Sequence, residues 1–447
     1  MKARNRALLL VFCLVLIAIA ATLGAFYFYA RNLDRSGWIQ RGGDYYYLDQ
    51  EGKPITGWLE DEGSRYYFGP DNAMVTGWQE IDGSRYCFSD SGIMRTGWLE
   101  QDGSVYYFQA DGTPVSGWQE IDGHRRYFLE DGLIATGWQT VSGLRYFFSP
   151  EGTVVTGWLN QPEGMYYLSA TGQPATGLTD IDGHRYYFFE RSGLMAQGLV
   201  DLADGRYCFG DDGVMVTGWQ NVDGKDRYFS EDGKMVTGWL QQGEYRYYLL
   251  EDGTKAVSPT VIDGETCFFT PDGIYVLLVN YQYPVPESYQ PDIVQYNQAG
   301  LRVAAIAEQA LRRMILDCRA TGIECWLNCG HRTRAEQTEI LRERTKEHQE
   351  KKGMDYDTAL EEALKTVAVP GYSEHETGLA MDIVCSVDPV WLHEHCWEYG
   401  FILRYPEDKS AITHISYEHW HYRYVGVEVA MKMKNTGLCL EEYLGAA

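Results

Sequence analysis

A 20-residue repeat is the strongest constraint on what this chain can fold into. Gly-Trp pairs begin at residues 37, 57, 77, 97, 117, 137 and 157, continue as Gly-Leu at 177 and 198, and return at 218 and 238. Each unit adds a glycine turn, an aromatic run such as Arg65-Tyr66-Tyr67-Phe68, and a second turn such as Asp111-Gly112. This pattern predicts a β-hairpin, which is too small to bury its aromatic face alone. We therefore expect residues 31–279 to form an all-β solenoid of stacked hairpins.

The composition changes near residue 280, and 447 residues exceed what one core usually serves. Pro284, Pro286 and Pro291 predict an extended linker over 280–297. In the remainder, 298–447, predicted strands alternate irregularly with predicted helices, which is typical of an α+β domain. We expect helices over 303–320, 334–351, 390–399 and 427–434, and strands over 323–328, 378–385 and 420–425.

The amino end carries a basic segment, 1–6, before an apolar run, 7–30. As a helix this run would measure about 36 Å, enough to cross a hydrocarbon core of about 30 Å. A signal-peptide core needs only about 7 to 15 residues, so the run predicts an uncleaved transmembrane signal anchor. Residues 1–6 would then be cytoplasmic and the rest extracellular, in a single-pass protein of the cell membrane. Cleavage near Ala18-Ile19-Ala20, and hence secretion, stays open as the alternative.

The net charge of the chain limits the classes of partner that it can bind. The chain has 38 Lys and Arg against 63 Asp and Glu, a net charge of −25 and a pI near 4.8. This balance excludes nucleic acid and anionic lipid surfaces as partners and agrees with an exported ectodomain. Ten cysteines would permit disulfides outside the cell. Six of them lie in the C-terminal domain and allow fifteen pairings, among which the sequence does not choose.

Four residues in two short segments predict a metal-dependent hydrolase. His375, Asp382 and His421 suit Zn²⁺, which in catalytic sites takes three protein ligands and keeps a fourth position for water. Glu418, three residues before the last histidine, supplies a base for that water.

The same segments resemble the VanY-type D-alanyl-D-alanine carboxypeptidases of the M15 zinc peptidases, over roughly 298–444. The resemblance is carried by Ser373-x-His375-x-x-Gly378-x-Ala380-x-Asp382, by Glu418-x-Trp420-His421, and by Cys329-Gly330-His331-Arg332-Thr333 with Gln337. It implies the compact zinc DD-peptidase fold, with the metal on one face of a small antiparallel sheet. Cys329 and His331 depart from the family's serine and tyrosine, His414 from a glycine, and His419 from a proline.

The resemblance also implies roles for individual residues. His375, Asp382 and His421 would bind zinc, and Glu418 would act as general base and later as acid. Arg332 would polarise or anchor the scissile carbonyl, as its planar fork suits a developing oxyanion. Ser373 would contact the terminal carboxylate of the peptide, with Gln337 assigned to substrate binding as well. An ordinary ion pair for Arg332 and a cap hydroxyl for Ser373 are the structural alternatives.

The repeats resemble the choline-binding repeats of Gram-positive surface proteins. There, aromatic cages hold a quaternary ammonium, with each contact worth roughly 0.5 to 2 kcal/mol. The position before the Tyr-Tyr pair, commonly tryptophan in that family, carries Arg65, Arg85, Val105, Arg125, Arg145, Met165, Arg185, Arg206 and Arg246. An arginine there would repel choline or lie on the aromatic face, which favours a glycan or another anionic wall polymer. Tyr45 keeps an aromatic, so any choline site is expected near Trp38, Tyr45 and Trp58; a purely spacing solenoid is the alternative.

These observations predict a membrane-anchored cell-wall enzyme that removes the C-terminal D-alanine from peptidoglycan stem peptides. The repeats would bind a wall polymer, either teichoic-acid choline or a glycan. Two alternatives remain: an L,D-carboxypeptidase acting on tetrapeptides, and an adhesin-like wall-binding protein with an inactive peptidase domain.

Overall fold

The computed structural model of the chain describes residues 14–23, 25 and 35–447. Residues 14–23 are helical, whereas the segment 1–6 and most of the predicted anchor, 7–30, lie outside the described residues. No helix in the described part of the chain has both the length and the apolar character that a membrane span requires. The described residues form two compact units, one reaching Thr179 and including Phe188–Met195, the other comprising Asp180–Tyr187 and Ala196–Ala447.

Within residues 35–447, the repeats fold into eleven two-stranded antiparallel hairpins. The paired strands are β1 (Gly37–Arg41) with β2 (Asp44–Leu48), β3 (Gly57–Asp61) with β4 (Ser64–Phe68), β5 (Gly77–Ile81) with β6 (Ser84–Phe88), β7 (Gly97–Gln101) with β8 (Ser104–Phe108), β9 (Gly117–Ile121) with β10 (His124–Phe128), β11 (Gly137–Val141) with β12 (Leu144–Phe148), β13 (Gly157–Gln161) with β14 (Gly164–Leu168), β15 (Gly177–Ile181) with β16 (His184–Phe188), β17 (Gly198–Leu202) with β18 (Gly205–Phe209), β19 (Gly218–Val222) with β20 (Lys225–Phe229), and β21 (Gly238–Gln242) with β22 (Tyr245–Leu249). The predicted hairpin repeat is thus confirmed.

The hairpin between β5 and β6 illustrates why the sequence folds this way. Its loop is Asp82-Gly83, and both residues have positive φ, 51° and 77°. Two such residues make the type I′ turn, whose twist matches that of the flanking strands. Phe88, at the end of β6, is buried.

Successive hairpins bury one another's aromatic residues. Trp58 contacts Tyr67 of its own hairpin at 5.1 Å between ring centroids and Tyr86 of the next hairpin at 5.0 Å, both edge to face. A Cβ on Gly92 would lie 2.1 Å from the sulfur of Met74, so the second turn of one unit leaves no room for a side chain. The expectation that neighbouring units complete one another's core is confirmed at these contacts.

The last repeat unit is a three-stranded sheet of β23 (Thr260–Ile262), β24 (Glu265–Phe269) and β25 (Tyr275–Val276). Beyond it, β26 (Ile293–Gln295) pairs with β27 (Arg302–Ala304). A four-stranded antiparallel sheet follows, in the order β28 (Cys325–Cys329), β29 (Ala380–Cys385), β31 (His421–Tyr424) and β30 (Phe401–Leu403).

Seven α-helices belong to this part of the described chain. They are α1 (Ala305–Ala320), α2 (Arg334–Lys352), α3 (Tyr356–Leu364), α4 (Val390–His395), α5 (Ser410–Thr413), α6 (Val427–Thr436) and α7 (Leu440–Tyr443). Three 3₁₀ turns are Glu374–Thr377, Cys396–Tyr399 and Glu407–Lys409. The predicted α+β content is confirmed. Leu311 and Met314 of α1 pack on Ile383 and Tyr422 of the sheet, which fixes β29 and β31 from behind.

The last repeat unit and the C-terminal domain share one hydrophobic core. Phe268 and Leu278 are buried in a cluster with Val429 and Met433 of α6 and Leu440 of α7. The segment predicted as a linker, 280–297, has no helix or strand before Ile293, but it is held against the domain. Val285 donates its amide to the carbonyl of Gly371, and the Tyr289 hydroxyl donates to the carbonyl of Thr377.

This shared core generates a stability prediction. Leu278→Ala should lower the free energy of unfolding by about 2–5 kcal/mol, because the substitution leaves a cavity between the last repeat unit and α6. Denaturant unfolding of the full chain measures the loss, and hydrogen exchange should quicken at α6 amides. Val261→Ala is the control, since Val261 is 69% exposed. Unchanged exchange at α6 would mean that the domain is independent of the repeats.

Candidate metal centre

Strand register brings the predicted ligands together. Asp382 on β29 lies directly opposite His421 on β31, and on its other side it lies opposite Cys329 on β28. Paired residues of neighbouring strands project from the same face of a sheet. His375 comes from the 3₁₀ turn just before β29, which Gly378 ends with a φ of 74°. All three predicted ligands are buried.

Their donor atoms converge on one carboxylate oxygen. The Oδ1 atom of Asp382 lies 3.4 Å from Nε2 of His375 and 3.2 Å from Nδ1 of His421. Donors on one tetrahedral zinc ion would be about 3.3–3.6 Å apart, given Zn–N and Zn–O distances of about 2.0–2.1 Å. The two imidazole rings are 4.9 Å apart between centroids. Oδ1 is buried and has no hydrogen-bond partner, so the donor set fits a cation.

His375 is oriented by a hydrogen bond on its second ring nitrogen, and His421 has a carboxylate near its own. Nδ1 of His375 lies 2.8 Å from the carbonyl oxygen of Gly330, which can only accept, so Nδ1 carries the proton and Nε2 is left to bind. Nε2 of His421 faces Oε2 of Glu374 at 3.8 Å, which leaves its Nδ1 toward Asp382. Partners of this kind orient the ligands of metal sites generally.

The charges of the site are strongly coupled. Burial by itself would raise the pKa of Asp382, but His375 and His421 outweigh it and hold that pKa well below the usual range. Burial opposes protonation of His421, yet Asp382, Glu374 and Glu418 raise its pKa well above the usual value. Glu418 itself is buried, with Oε2 3.4 Å from Nδ1 of His421.

A buried ion network supports the centre from behind. Oε1 of Glu374 pairs with Arg404 at 2.9 Å and with Arg423 at 2.8 Å. The other side of the Arg404 guanidinium donates two hydrogen bonds to Glu441, of 2.9 and 2.6 Å. Burial would raise the pKa of Glu374, but the two guanidinium groups hold it well below its usual range.

Arg332 is shared among three neighbours. It donates to Oδ2 of Asp382 at 3.1 Å, to Oε1 of Gln337 at 3.3 Å and to Sγ of Cys329 at 3.0 Å. Gln337 is buried, and its amide nitrogen donates to the carbonyl of Ala368 at 2.8 Å. Gln337 thus helps to fix the position of the Arg332 guanidinium. Ser373 is buried beside His375 and makes no side-chain cap bond, which removes the cap alternative.

These groups line one cavity of about 330 Å³. Its walls include Arg332, Gln337, Ser373, Glu374, His375, Asp382, Tyr405, Glu418, Trp420 and His421. A second cavity of about 510 Å³ shares Ala368, Tyr405 and Ile415 with it. The site can therefore hold more of a chain than its terminal residue.

Sequence reasoning missed several of these wall residues. Glu374 and Tyr405 were not singled out, although Glu374 stands beside His375 in the motif. Tyr405 packs on the ring of His421 at 4.8 Å. His419 is exposed and precedes β31, which begins at His421. All nine cysteines in the described residues are free thiols.

In the repeats, the three predicted wall-ligand residues have different surroundings. Trp38 and Tyr45 are exposed, at 37% and 44%, and the Trp38 indole donates to Asp61 at 2.8 Å. The ring of Trp58 is covered by the guanidinium of Arg65, 4.5 Å from the centroid. The structure does not therefore make one common open site of the three.

Arginine covers tryptophan in the same way along the repeats. The pairs are Arg65 on Trp58, Arg85 on Trp78, Arg125 on Trp118, Arg145 on Trp138 and Arg246 on Trp239, at 3.8–4.5 Å. Where leucine replaces the tryptophan, Arg185 and Arg206 pair with Asp180 and Asp201. Of the two arrangements that the sequence allowed, the arginine lies on the aromatic face.

Every third unit lacks this arginine. The position holds Tyr45, Val105, Met165 and Asp226 in the units that begin at residues 37, 97, 157 and 218. In the first three of these units the tryptophan is exposed, at 37% for Trp38, 42% for Trp98 and 40% for Trp158. Exposed tryptophans thus recur every 60 residues, and of these the Trp98 ring has the Arg126 guanidinium 5.0 Å from its centroid.

Comparison with known proteins separates the two halves of the chain. Residues 300–427 match the family described as D-alanyl-D-alanine carboxypeptidase. The chain is 42% identical over 178 residues to the D-alanyl-D-alanine carboxypeptidase of Enterococcus faecalis, covering 38% of this chain and 65% of that protein. It is 32% identical over 186 residues to a bifunctional D-Ala-D-Ala dipeptidase and carboxypeptidase, VanXYC, of Enterococcus gallinarum, covering 37% of this chain and 91% of that protein.

Two further likenesses concern structures and repeats. A solved vancomycin-resistance D,D-pentapeptidase VanY in complex with Zn(II) is 41% identical, with a TM-score of 0.36, covering 38% of this chain and 97% of that one. Residues 75–113, 135–177 and 216–260 match the choline-binding repeat, and residues 36–53 and 56–71 match a cell wall binding repeat.

The buried network generates a pH-dependent prediction. Arg404→Met should cost about 3–5 kcal/mol of stability at pH 7, because it leaves the buried Glu441 carboxylate without its guanidinium partner and Glu374 with Arg423 alone. The folded-state pKa values of Glu374 and Glu441 are lowered, so the wild-type stabilisation is present above the unfolded value of about 4.3 and is lost as pH falls through the folded values. The difference between the two proteins should therefore be full at pH 7 and smaller at about pH 3.

Denaturant unfolding with a chelator present measures both values. Arg342→Met is the matched control, since Arg342 pairs with Glu339 on the exposed face of α2. An equal loss at both pH values would contradict the assigned charges.

Proposed function

Because the C-terminal part of this chain belongs to the D-alanyl-D-alanine carboxypeptidase family, we propose that the protein hydrolyses the bond before the C-terminal D-alanine of peptidoglycan stem peptides. The chain spans 65% of the enterococcal carboxypeptidase that it matches, so activity, substrate and partners are all part of the proposal. One observation carries it: the ring nitrogens of His375 and His421 converge on Oδ1 of Asp382, beside the buried Glu418 and within one cavity.

Zinc is the metal that the donor set favours. Two imidazole nitrogens and one carboxylate oxygen are its usual ligands in catalytic sites, with a fourth position left for water. When bound there, zinc would supply Lewis-acid polarisation and lower the pKa of water. Gly330 and Glu374 hold the two rings with their binding nitrogens turned inward.

Glu418 acts as the general base. Its carboxylate lies within 3.4 Å of His421 and has no residue between it and the cavity that it lines. It accepts a proton from the attacking water and returns it to the amine of the departing D-alanine.

Arg332 and Ser373 receive the substrate. The guanidinium lies beside Asp382, and Gln337 holds it in place. Its fork can hold either the scissile carbonyl oxygen or the terminal carboxylate of the peptide. Ser373 lines the same cavity, and its hydroxyl caps no helix. It would bind whichever of the carbonyl oxygen and the terminal carboxylate Arg332 does not hold. The adjoining cavity would take the preceding peptide residues.

We also propose that the repeats bind a wall glycan through Trp38, Trp98 and Trp158. These three indoles are the exposed tryptophans of the described repeats, at 37–42%, and offer apolar surface to sugar rings. Residues 7–30 would anchor the protein in the membrane, a proposal supported by the apolar run alone.

Defined muropeptides test the reaction. The zinc-loaded full chain should remove one alanine from a pentapeptide and leave the tetrapeptide intact, as followed by mass spectrometry. Loss from the tetrapeptide alone would assign an L,D-carboxypeptidase. Loss from neither substrate would favour a wall-binding protein with an inactive domain.

Two variants separate the roles of the site residues. Glu418→Gln should keep one zinc per chain and lose about 10² to 10⁴ of turnover, because only the base is removed. His421→Ala should lose the metal and the activity together. Metal analysis beside turnover decides the matter, and metal loss in Glu418→Gln would make its assignment as base wrong.

The repeat proposal predicts a selective loss of wall binding. Trp38→Ala should weaken binding to purified wall on the order of tenfold, because binding through several linked sites depends steeply on each one. Leu144→Ala is the control, an exposed apolar residue on a hairpin whose tryptophan carries arginine. Elution of the protein from wall by millimolar choline would contradict the glycan assignment.

A further inference from the structure

Cys329 stands at the metal centre where the resemblance expects a serine. It is the last residue of β28 and lies opposite Asp382, which in turn lies opposite His421. Three potential donors therefore form a row across three adjacent strands. Cys329 is partly exposed and lines a neighbouring cavity that shares Arg332 with the metal cavity.

The sulfur is within reach of the same ion. One donor atom each from Cys329, His375 and Asp382 forms a group in which all atoms lie within 4.8 Å of one another. Bound to one zinc ion they would be about 3.3–3.6 Å apart, because the Zn–S distance is only about 2.3 Å. His421 lies outside this group, so the Cys329 sulfur and the His421 ring would have to approach one another for one ion to take all four donors. The buried, unpartnered Oδ1 of Asp382 independently marks the point on which they converge.

We propose that Cys329 is a fourth protein ligand of the metal in the resting enzyme. The inference rests on the proposed function, which supplies the metal. The Cys329 sulfur would occupy the fourth coordination position, which water needs for catalysis. As the bond forms, the thiol proton leaves to solvent and one metal–sulfur bond is made. Structural zinc sites are closed in this way, whereas catalytic sites stay open.

Arg332 couples this ligand to the substrate. Its Nε donates to the Cys329 sulfur at 3.0 Å, and its Nη2 donates to Asp382 at 3.1 Å. A substrate oxygen that recruits the guanidinium removes the hydrogen bond from the sulfur. Substrate therefore competes with Cys329 for Arg332 as well as for the coordination position on the metal.

Cobalt substitution tests the sulfur directly. Co²⁺ bound by thiolate absorbs in the near ultraviolet through sulfur-to-metal charge transfer, and the band does not require turnover. We expect it in the wild-type chain and in Cys385→Ser, but not in Cys329→Ser, with one Co²⁺ per chain in all three. Cys385 is the matched control, because it is partly exposed and its three-residue offset from Asp382 turns it to the other face of β29.

Alkylation gives a second measurement. Iodoacetamide should label Cys329 at least tenfold more slowly with metal bound than without it, while the labelling rate of Cys385 stays unchanged. A stoichiometric cobalt protein without the band, or with the band intact in Cys329→Ser, would overturn the inference and leave the proposed function standing. Failure of every variant to bind cobalt would overturn both.

Discussion

The buried carboxylate of Glu374 is the point on which the C-terminal domain depends. It lies behind His421, one of the three residues proposed to hold the metal, and it is neutralised by Arg404 and Arg423. A buried carboxylate without such partners would be protonated or would unfold the site. The two arginines therefore keep a negative charge close behind His421.

Those arginines connect the site to distant parts of the chain. Arg423 donates to the carbonyl of Leu277, at the end of the last repeat unit. Arg404 binds Glu441 of α7, and Glu441 accepts a hydrogen bond from Asn280. A residue that sequence position assigns to a linker thus completes a charge network behind the centre. This explains why the compact unit includes the late repeats instead of starting at the predicted domain boundary.

Much of this architecture follows from local sequence signals, and the rest does not. Turn residues such as Asp82-Gly83 predict each hairpin, and periodicity predicts α1 and α2, because these signals lie within one element. Helix α3 was missed although Asp355 caps it, a signal that could have been used. The strand β30 has three residues and carries no readable period. Glu374 could not be identified, because its partners come from segments 30 and more residues away.

The stacking of the repeat arginines on tryptophan could be predicted from the sequence only in part. Trp58 pairs with Tyr67 across the hairpin, so Arg65 is its diagonal neighbour on the same face. Long side chains reach across that diagonal, and the stacking could have been derived from strand alternation alone. Strand alternation within one hairpin does not reveal which units lack this arginine. Those units recur every 60 residues, and only a comparison of all eleven units shows it.

The shared core also bears on how the enzyme would meet its substrate. If the domain hung from the repeats by a free linker, its reach would be set by linker length. Here Phe268 and Leu278 are buried against α6 and α7, and Asn280 is tied to Glu441, so the last repeats cannot swing independently of the cavity. The position of the cavity is then set by the hairpins that precede it. The distance between those last hairpins and His375, Asp382 and His421 is therefore set by packing and not by linker length.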